Sequence, residues 1–590
     1  MSEYRAPVRE MLFVINELAG LEELGRLSGF EEATPDLVEA ILEEAAQLAG
    51  EVIAPTNRIG DATGTRVEDG QVRVAPEFSD AYRQYVEGGW AGLAGNPEHG
   101  GQGLPFLINI AVEEMWQSAN LAWSLCPLLT QGAAHALEVH GSDELRTEYS
   151  PKLTSGEWTG TMNLSEPQAG SDLAAIRTQA VPEGDHYRIS GQKIFITYGD
   201  HDMTDNVIHL VLARTKDAPE GGNGLSLFLV PKRLPDADGN AGDLNGVKPV
   251  SVEHKLGING SPTCVLSFEN AVGFLLGAEH NGLACMFTMM NHARLNVGLE
   301  GVSIAVRAYQ QALAHARDRV QGSALGHEGR VTIIHHPDVR RMLMTIKAEI
   351  EAMRGVAYVT AAELDRAGHE PDPQVRAAYL ARVELMTPVV KGWITESGQH
   401  LTSIALQIHG GTGYIEEAGA AQHYRDARIA TIYEGTTGIQ ANDLVGRKII
   451  RDGGAALTSL LDEMGQFGEQ WNPGDGLASV RDAYVGAVND LRESAAWLLA
   501  NYKRDATIAG SVSFHLLMQM GLVTGAWQMS RAAVCAADKL AKGGQDEEFY
   551  GAKLVTVRFY TEQILPRANA HGSAIRSGGE TTMALGEEQF

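Results

Sequence analysis

Between two long stretches of helical periodicity lies a block, residues 157 to 280, of short apolar runs separated by turn residues. This change of texture constrains the fold most. A doubly wound parallel sheet alternates strand and helix throughout, so a β block flanked by helical blocks points elsewhere. Val181 to Ile196 reads as a strand, a Pro-Glu-Gly-Asp turn and a second strand, with a further turn at Ser190-Gly191. Val207 to Ala213, Leu225 to Val230, Val247 to Val252 and Cys264 to Phe268 read as strands, and Pro231 to Gly246 as a polar loop. The block is expected to form a compact β-barrel or sandwich.

On the N-terminal side, Thr34-Pro35 supplies an N-cap and a first helical residue. Leu37, Ile41, Ala45, Leu48 and Val52 then share one helical face, and Pro55 is expected to end that helix. Helices are expected around Ser79 to Gly88, Leu107 to Leu121, Gln131 to His140 and Ser142 to Ser150. On the C-terminal side, 283–318, 337–366, 373–409 and 438–451 are long enough for a four-helix bundle. Gly465 to Gly476 reads as a linker, followed by helices over Val480 to Leu499, Ser511 to Leu540 and Glu547 to Ile564. The expected fold class is α+β and multidomain: an extension (1–33), an N-terminal helical domain (34–156), a middle β domain (157–281), a C-terminal four-helix bundle (282–464) and an additional helical domain (465–590).

The chain has 590 residues, too many for one core, and carries 75 acidic against 47 basic residues, a net charge of −28. Such a surface repels phosphate backbones and anionic membranes, so nucleic-acid binding is not expected. Cys126, Cys264, Cys285 and Cys535 show no paired spacing, which points to a reducing compartment rather than a disulfide framework or a zinc site. No signal peptide is expected over Met1 to Leu24, and no membrane-spanning run anywhere. Neither Gly-x-Gly-x-x-Gly after a strand nor a Gly-Lys dipeptide occurs, and His327-Glu328 and His369-Glu370 lack a second histidine at zincin spacing.

Three stretches carry chemistry. Asn163 to Asp172 opens the β block with the hydroxyls of Ser165 and Ser171 and a turn-rich backbone suited to a flat heteroaromatic ring or a phosphate, or simply to a surface loop. Lys193-Ile194-Phe195-Ile196-Thr197 puts an aromatic and a hydroxyl on one strand face, which suits stacking on a planar cofactor or ordinary cross-strand packing. Ala427 to Gln440 holds a single carboxylate, Glu434, after an apolar segment and before a helix expected from about Gly438 to Ile450. Gly435 permits a sharp turn there, and Thr436 and Thr437 can cap the helix. Glu434 reads either as a base whose proton affinity burial raises or as an acid favouring the helix dipole. His409 reads as a capping or core residue, and Glu416-Glu417 as a solvated pair.

Together these motifs resemble the acyl-CoA dehydrogenase family. Ser165-Glu166-Pro167-x-Ala169-Gly170-Ser171-Asp172 is similar to its first signature. Gln407-x-x-Gly410-Gly411-x-Gly413-Tyr414, Tyr424-Arg425-Asp426-Ala427-Arg428-Ile429 and Ile432-Tyr433-Glu434-Gly435-Thr436 are similar to its C-terminal signature. Order and texture agree over roughly residues 36 to 450, and the additional C-terminal layer, with His254 to Thr263 and Met286 to Arg294, resembles a longer bacterial branch that includes 3-(methylthio)propanoyl-CoA dehydrogenases. The resemblance implies an FAD enzyme that oxidises an acyl-CoA thioester to the trans-2-enoyl-CoA. Glu434 would take the α proton while a hydride leaves the β carbon for FAD. The thioester oxygen would be held by the base's own backbone N–H and a ribityl hydroxyl. It further implies flavin contacts from Ser165, Phe195, Thr197, Arg319, Gln407, Gly411 and Thr436, and substrate contacts from Ser171, Arg294 and Tyr433. Phe195 stands where many members have Trp, Asn291 where several have Asp, and the family's Phe shortly after Arg319 is absent. Electron-transfer flavoprotein as acceptor, a homo-oligomer (dimer or tetramer) and a cytoplasmic location are implied as well. An oxidase using oxygen and a DNA-associated relative are the alternatives, the second disfavoured because residues 470 to 590 contain no basic run.

Overall fold

The computed structural model describes residues 4–474, 476–543 and 546–590. The start of the expected extension (residues 1–3) and Asp475 of the expected linker lie outside the described residues. The chain divides into two compact units, one of Pro7–Ile41 with Val297–Phe590, the other of Leu42–Asn296 with the segment up to Ala6. The helical–β–helical order expected from the sequence is observed.

The helix Pro35–Leu48 does not stop at Pro55. It passes through a π-helical stretch, Ala49–Ile53, into Ala54–Thr63. The wider turn accommodates a proline at the start of the next segment, where its missing N–H costs little. The helix Phe106–Ala119 is buried on every side from Leu107 onward. Asn120 then caps Leu121–His140 by accepting from the Trp123 N–H at 3.1 Å, so this helix begins ten residues before the expected Gln131. Ser142 caps Asp143–Ser155.

A small hairpin, β1 (Arg66–Glu68) and β2 (Gln71–Arg73), precedes the main sheet. The sheet contains β3 (Thr159–Asn163), β4 (Gln179–Glu183), β5 (His186–Thr197), β6 (Val207–Thr215) and β7 (Leu225–Pro231). After a second hairpin, β8 (Arg233–Pro235) with β9 (Ala241–Leu244), it is completed by β10 (Val247–Val252) and β11 (Thr263–Leu276). The order is β10-β11-β5-β4-β6-β3, and β7 pairs with both β6 and β11. Five strands therefore close on themselves, leaving β10 and β3 at the sides, and the barrel alternative is the one realised. β6 and β7 are buried along almost their whole length, as their unbroken apolar runs require. Ile189, Ile196, Val211, Phe228, Val230, Leu266 and Phe268 fill the interior.

Two expectations in this block are corrected. The segment read as a polar loop, Pro231 to Gly246, contains the β8–β9 hairpin. Ser190-Gly191 is no turn: β5 runs straight through it, with Gly191 opposite Phe268. The glycine is there for close approach, since a Cβ at 191 would lie 2.5 Å from the Thr178 hydroxyl oxygen.

The other unit is built on long helices: Gly282–Asp318 from residue 297 onward, Pro337–His369, Pro373–Ile408, and Thr437–Asn442 continuing as a π-helix over Asp443–Ile450. The first and third approach at backbone distance. A Cβ on Gly301 would stand 2.4 Å from the Ile394 carbonyl oxygen, and one on Gly398 would stand 2.6 Å from the Gly301 Cα. The additional helices are Ala455–Gln470, Ala478–Asn501, Ile508–Lys542, Glu547–Phe559 and Arg567–Arg576. Ala455–Gln470 occupies half of the expected linker; among its described residues, those from Trp471 onward are irregular. Contrary to expectation, Ile508–Lys542 is long and apolar enough to cross a membrane, with a mean hydropathy of 1.2 in its most apolar window, but 61% of that window is buried inside the protein. It is a core helix packed on Pro337–His369 and Pro373–Ile408.

Candidate active site

Glu434 follows a single turn of 3₁₀ helix, Arg428–Thr431, that ends when the Tyr433 N–H donates to the Ile429 carbonyl at 3.1 Å. The backbone then enters the left-handed region twice, at Glu434 (φ 55°) and Gly435 (φ 88°). Glycine tolerates this; a glutamate adopts it only where its surroundings over-determine the geometry. They do so here. The Lys391 ammonium donates to the Gly435 carbonyl at 2.6 Å, and the Gln440 amide donates to the Glu434 carbonyl at 3.0 Å. Both donors are fully buried. Thr436 caps the next helix, its hydroxyl accepting from the Ile439 N–H at 3.3 Å, and Thr437 donates to Glu396 at 2.6 Å. The Glu434 side chain is half-buried, set on a rigid support yet still reachable.

Beside it, the Tyr433 hydroxyl donates to Glu300 at 2.5 Å. Burial raises the Glu300 carboxyl to about 8, against the lowering effects of the Tyr433 hydroxyl and Lys391, while the Glu434 charge raises it further. Burial, then the Glu300 charge, lifts the Tyr433 phenol well above its ordinary range. Sequence reading missed Glu300. Its signal was an acid inside the apolar run Val297-Gly298-Leu299-Glu300-Gly301-Val302.

At one end of the same unit, His315 and His409 stack at 4.7 Å, bringing the ends of Gly282–Asp318 and Pro373–Ile408 together. His409 is buried at the helix C-cap, as read from the sequence. Arg319, Gln407 and Gly411 are exposed at this end, and Arg319 donates to Gln321 at 3.3 Å. Glu416 is not merely solvated: Arg425 grips it through two hydrogen bonds, 2.9 and 3.1 Å.

In the other unit, Ser165 lies next to β5, its carbonyl accepting from the Ile194 N–H at 2.9 Å. The anchor of this loop is Glu166, a second residue that sequence reading passed over. Its carboxylate accepts from the Lys193 ammonium (2.9 Å), the Thr178 hydroxyl (2.6 Å) and N–H (3.0 Å), and the Arg177 N–H (2.8 Å). Burial alone would raise this carboxyl, but Lys193 and these donors hold it down at about 2. Lys193 also donates to the Leu164 carbonyl at 2.9 Å, so one buried ion pair ties the loop to the strand. Along that strand Phe195 is 61% exposed with φ 60°, Ile196 enters the barrel core, and Thr197 is half-buried. The register slips here: three steps on β5, Lys193 to Ile196, face two on β11, Leu266 to Cys264. A bulge therefore turns Phe195 outward. Ser171 is exposed on the same loop as Ser165. Arg294 is buried, its guanidinium 5.7 Å from the Phe287 ring.

This arrangement tests whether a flavin suits the residues present. A large aromatic held outward in a costly backbone conformation, with the Thr197 hydroxyl two residues along its strand and the Ser165 loop tied to that strand, fits a flat heteroaromatic ring. In the other unit, Glu434 is a half-buried carboxylate on a clamped backbone.

The comparisons with known proteins agree across the chain. Residues 36–157, 161–271 and 280–449 match the N-terminal, middle and C-terminal domains of acyl-CoA dehydrogenase, and residues 460–586 match an acetyl-CoA dehydrogenase C-terminal-like domain. The chain is 45% identical to the 3-methylmercaptopropionyl-CoA dehydrogenase of Ruegeria pomeroyi, over 98% of this chain and 99% of that protein. It is 35% identical to the broad-specificity linear acyl-CoA dehydrogenase FadE5 of Mycobacterium tuberculosis, over the full length of both. A crystal structure of an acyl-CoA dehydrogenase complexed with FAD from Bacillus anthracis shares the fold, with a TM-score of 0.74, 21% identity and coverage of 95% of this chain and 91% of that one.

Proposed function

This chain belongs to the acyl-CoA dehydrogenase family, and from that premise we propose that Glu434 is the base that removes the α proton of an acyl-CoA thioester. The observation carrying the assignment is the clamped left-handed step at Glu434, held from both sides by Lys391 and Gln440. Backbone strain of this kind costs roughly 1–3 kcal/mol and is kept where a side chain must be aimed. The activity is FAD-dependent α,β-dehydrogenation, the bound flavin supplying the acceptor for the β hydride. The chain's own residues bind, orient and deprotonate. Glu434 Oε receives the α proton, and we assign Tyr433, whose hydroxyl is turned to Glu300, to the acyl side. The thioester oxygen gains enolate charge as the proton leaves and needs a fixed donor, a role we give to the Glu434 backbone N–H. We assign Phe195, Thr197 and Ser165 to the ring of the flavin, Thr436 to its face, and Arg319, Gln407 and Gly411 to its diphosphate and adenosine portions. Ser171 and Arg294 take the CoA moiety.

For the substrate we propose a short acyl-CoA, with 3-(methylthio)propanoyl-CoA first, because that substrate names the 45%-identical relative. Electrons leave to an electron-transfer flavoprotein, the enzyme works as a homo-oligomer, and its free thiols suit the cytoplasm. The test is anaerobic flavin bleaching with a panel of acyl-CoA esters. Wild type should bleach, fastest with the methylthio ester; Glu434→Gln should retain FAD and bind the ester without bleaching. Full bleaching by the variant removes Glu434 from the role of base.

A further inference from the structure

Glu300 lies on the Gly282–Asp318 helix, between Gly298 and Gly301. Both glycines press on the Pro373–Ile408 helix: Cβ atoms there would stand 2.8 Å from the Val390 carbonyl oxygen and 2.4 Å from that of Ile394. The carboxyl therefore projects from a backbone that cannot shift. It is fully buried; Oε2 takes the Tyr433 hydroxyl at 2.5 Å, and Oε1 has no protein partner among the described residues. Its sequence neighbours Val297, Leu299 and Val302 are buried hydrophobics. A carboxyl in such a place costs stability that an amide or an apolar residue would not.

We propose that Glu300 is a positioning residue for the base: buried on a close-packed helix, it holds the Tyr433 hydroxyl and so sets both the backbone step into Glu434 and the charge that Glu434 experiences. The charged and titratable groups facing this pair are Lys391 from Pro373–Ile408, Glu434 itself, and Asp426, which faces Tyr433 from the helix Ala420–Ala427. With Glu300 neutral, Lys391 offsets Glu434, and Asp426 adds a negative charge on the Tyr433 side. When Glu300 ionises, a further negative charge lies beside a reaction that builds negative charge on the thioester oxygen. Chemistry then slows, giving a falling limb in the rate of flavin reduction above about pH 8.

The inference rests on the reading of Glu434 as base, and the experiment separates the two. Infrared difference spectra of FAD-loaded wild type against Glu300→Gln, without substrate, should contain a protonated-carboxyl band at pH 6 that disappears by pH 9. That band does not depend on turnover. Rapid-mixing bleaching should show the falling limb in wild type and its absence in Glu300→Gln. Tyr433→Phe should lower the bleaching rate at saturating ester about tenfold, the effect of losing one hydrogen bond to a carboxyl. The proposal is overturned by an absent infrared band, by a limb that persists in Glu300→Gln, or by a Tyr433→Phe enzyme as fast as wild type. If Glu300→Gln does not fold, the Tyr433→Phe rate decides. Bleaching by Glu434→Gln would sink the functional reading while leaving the infrared result standing.

Discussion

A phenylalanine at φ 60° is an expensive way to build a strand, costing roughly 1–2 kcal/mol that glycine would not. Phe195→Gly should therefore leave thermal stability unchanged or raise it, while FAD dissociates more readily; calorimetry and flavin absorbance after gel filtration measure the two. A variant that lost stability and kept FAD would deny Phe195 its cofactor role. Lys193→Met makes the opposite case. It strands the buried Glu166 carboxylate, and removing one partner of such a pair costs about 3–5 kcal/mol. Urea unfolding should register that loss, with the Ser165 loop becoming protease-sensitive. The Glu166 carboxyl, held down at about 2, contributes stability that is present above its ordinary range and lost as pH falls towards that value.

Close helix approach is an element-scale property. Gly301→Ala must push the Gly282–Asp318 and Pro373–Ile408 helices apart, since the new methyl would meet the Ile394 carbonyl at 2.4 Å. Overpacking of this kind costs about 1–3 kcal/mol. Because Glu300 is the preceding residue and Lys391 lies on the facing helix, flavin bleaching should slow as well, which rapid mixing would detect. The helices themselves were legible from 3.6-residue periodicity, and the expected segments 283–318, 337–366 and 373–409 lie close to those observed. The misreadings share a cause. Pro55 and Ser190-Gly191 carry local signals for stopping and turning, but at each site a longer-range demand overrode them: a π-helical widening at one, contact with Thr178 at the other.

At the scale of the whole molecule, buried carboxyls couple stability to pH. Burial raises Glu113 and Glu300 to about 8 and Glu363 to about 7, so each binds its proton more tightly folded than unfolded. Buried His201, His209 and His292, lowered to about 3, act in the opposite sense but only up to the ordinary histidine range. Above it the three acids leave the folded protein holding more protons, and stability should decline as pH rises from 7 through 8. Thermal unfolding at pH 7 and 9 should show this, and Glu113→Gln should flatten the slope. Arg319, exposed beside the His315–His409 stack, belongs to the same scale. Arg319→Ala should lose FAD or weaken the oligomer, read by flavin content and light scattering; keeping both would remove Arg319 from a subunit contact.

The sequence by itself determined the order of helical and β blocks, through periodicity and turn residues, and singled out Glu434, Ser165, Phe195 and Thr197 through motifs written in adjacent positions. Only the tertiary structure decided that Glu434 is left-handed and gripped by Lys391 and Gln440, that β7 closes the barrel, and that Glu300 meets Tyr433 across 133 residues. Burial and long-range hydrogen bonds arise from segments distant in the chain, so they leave no local pattern to be read.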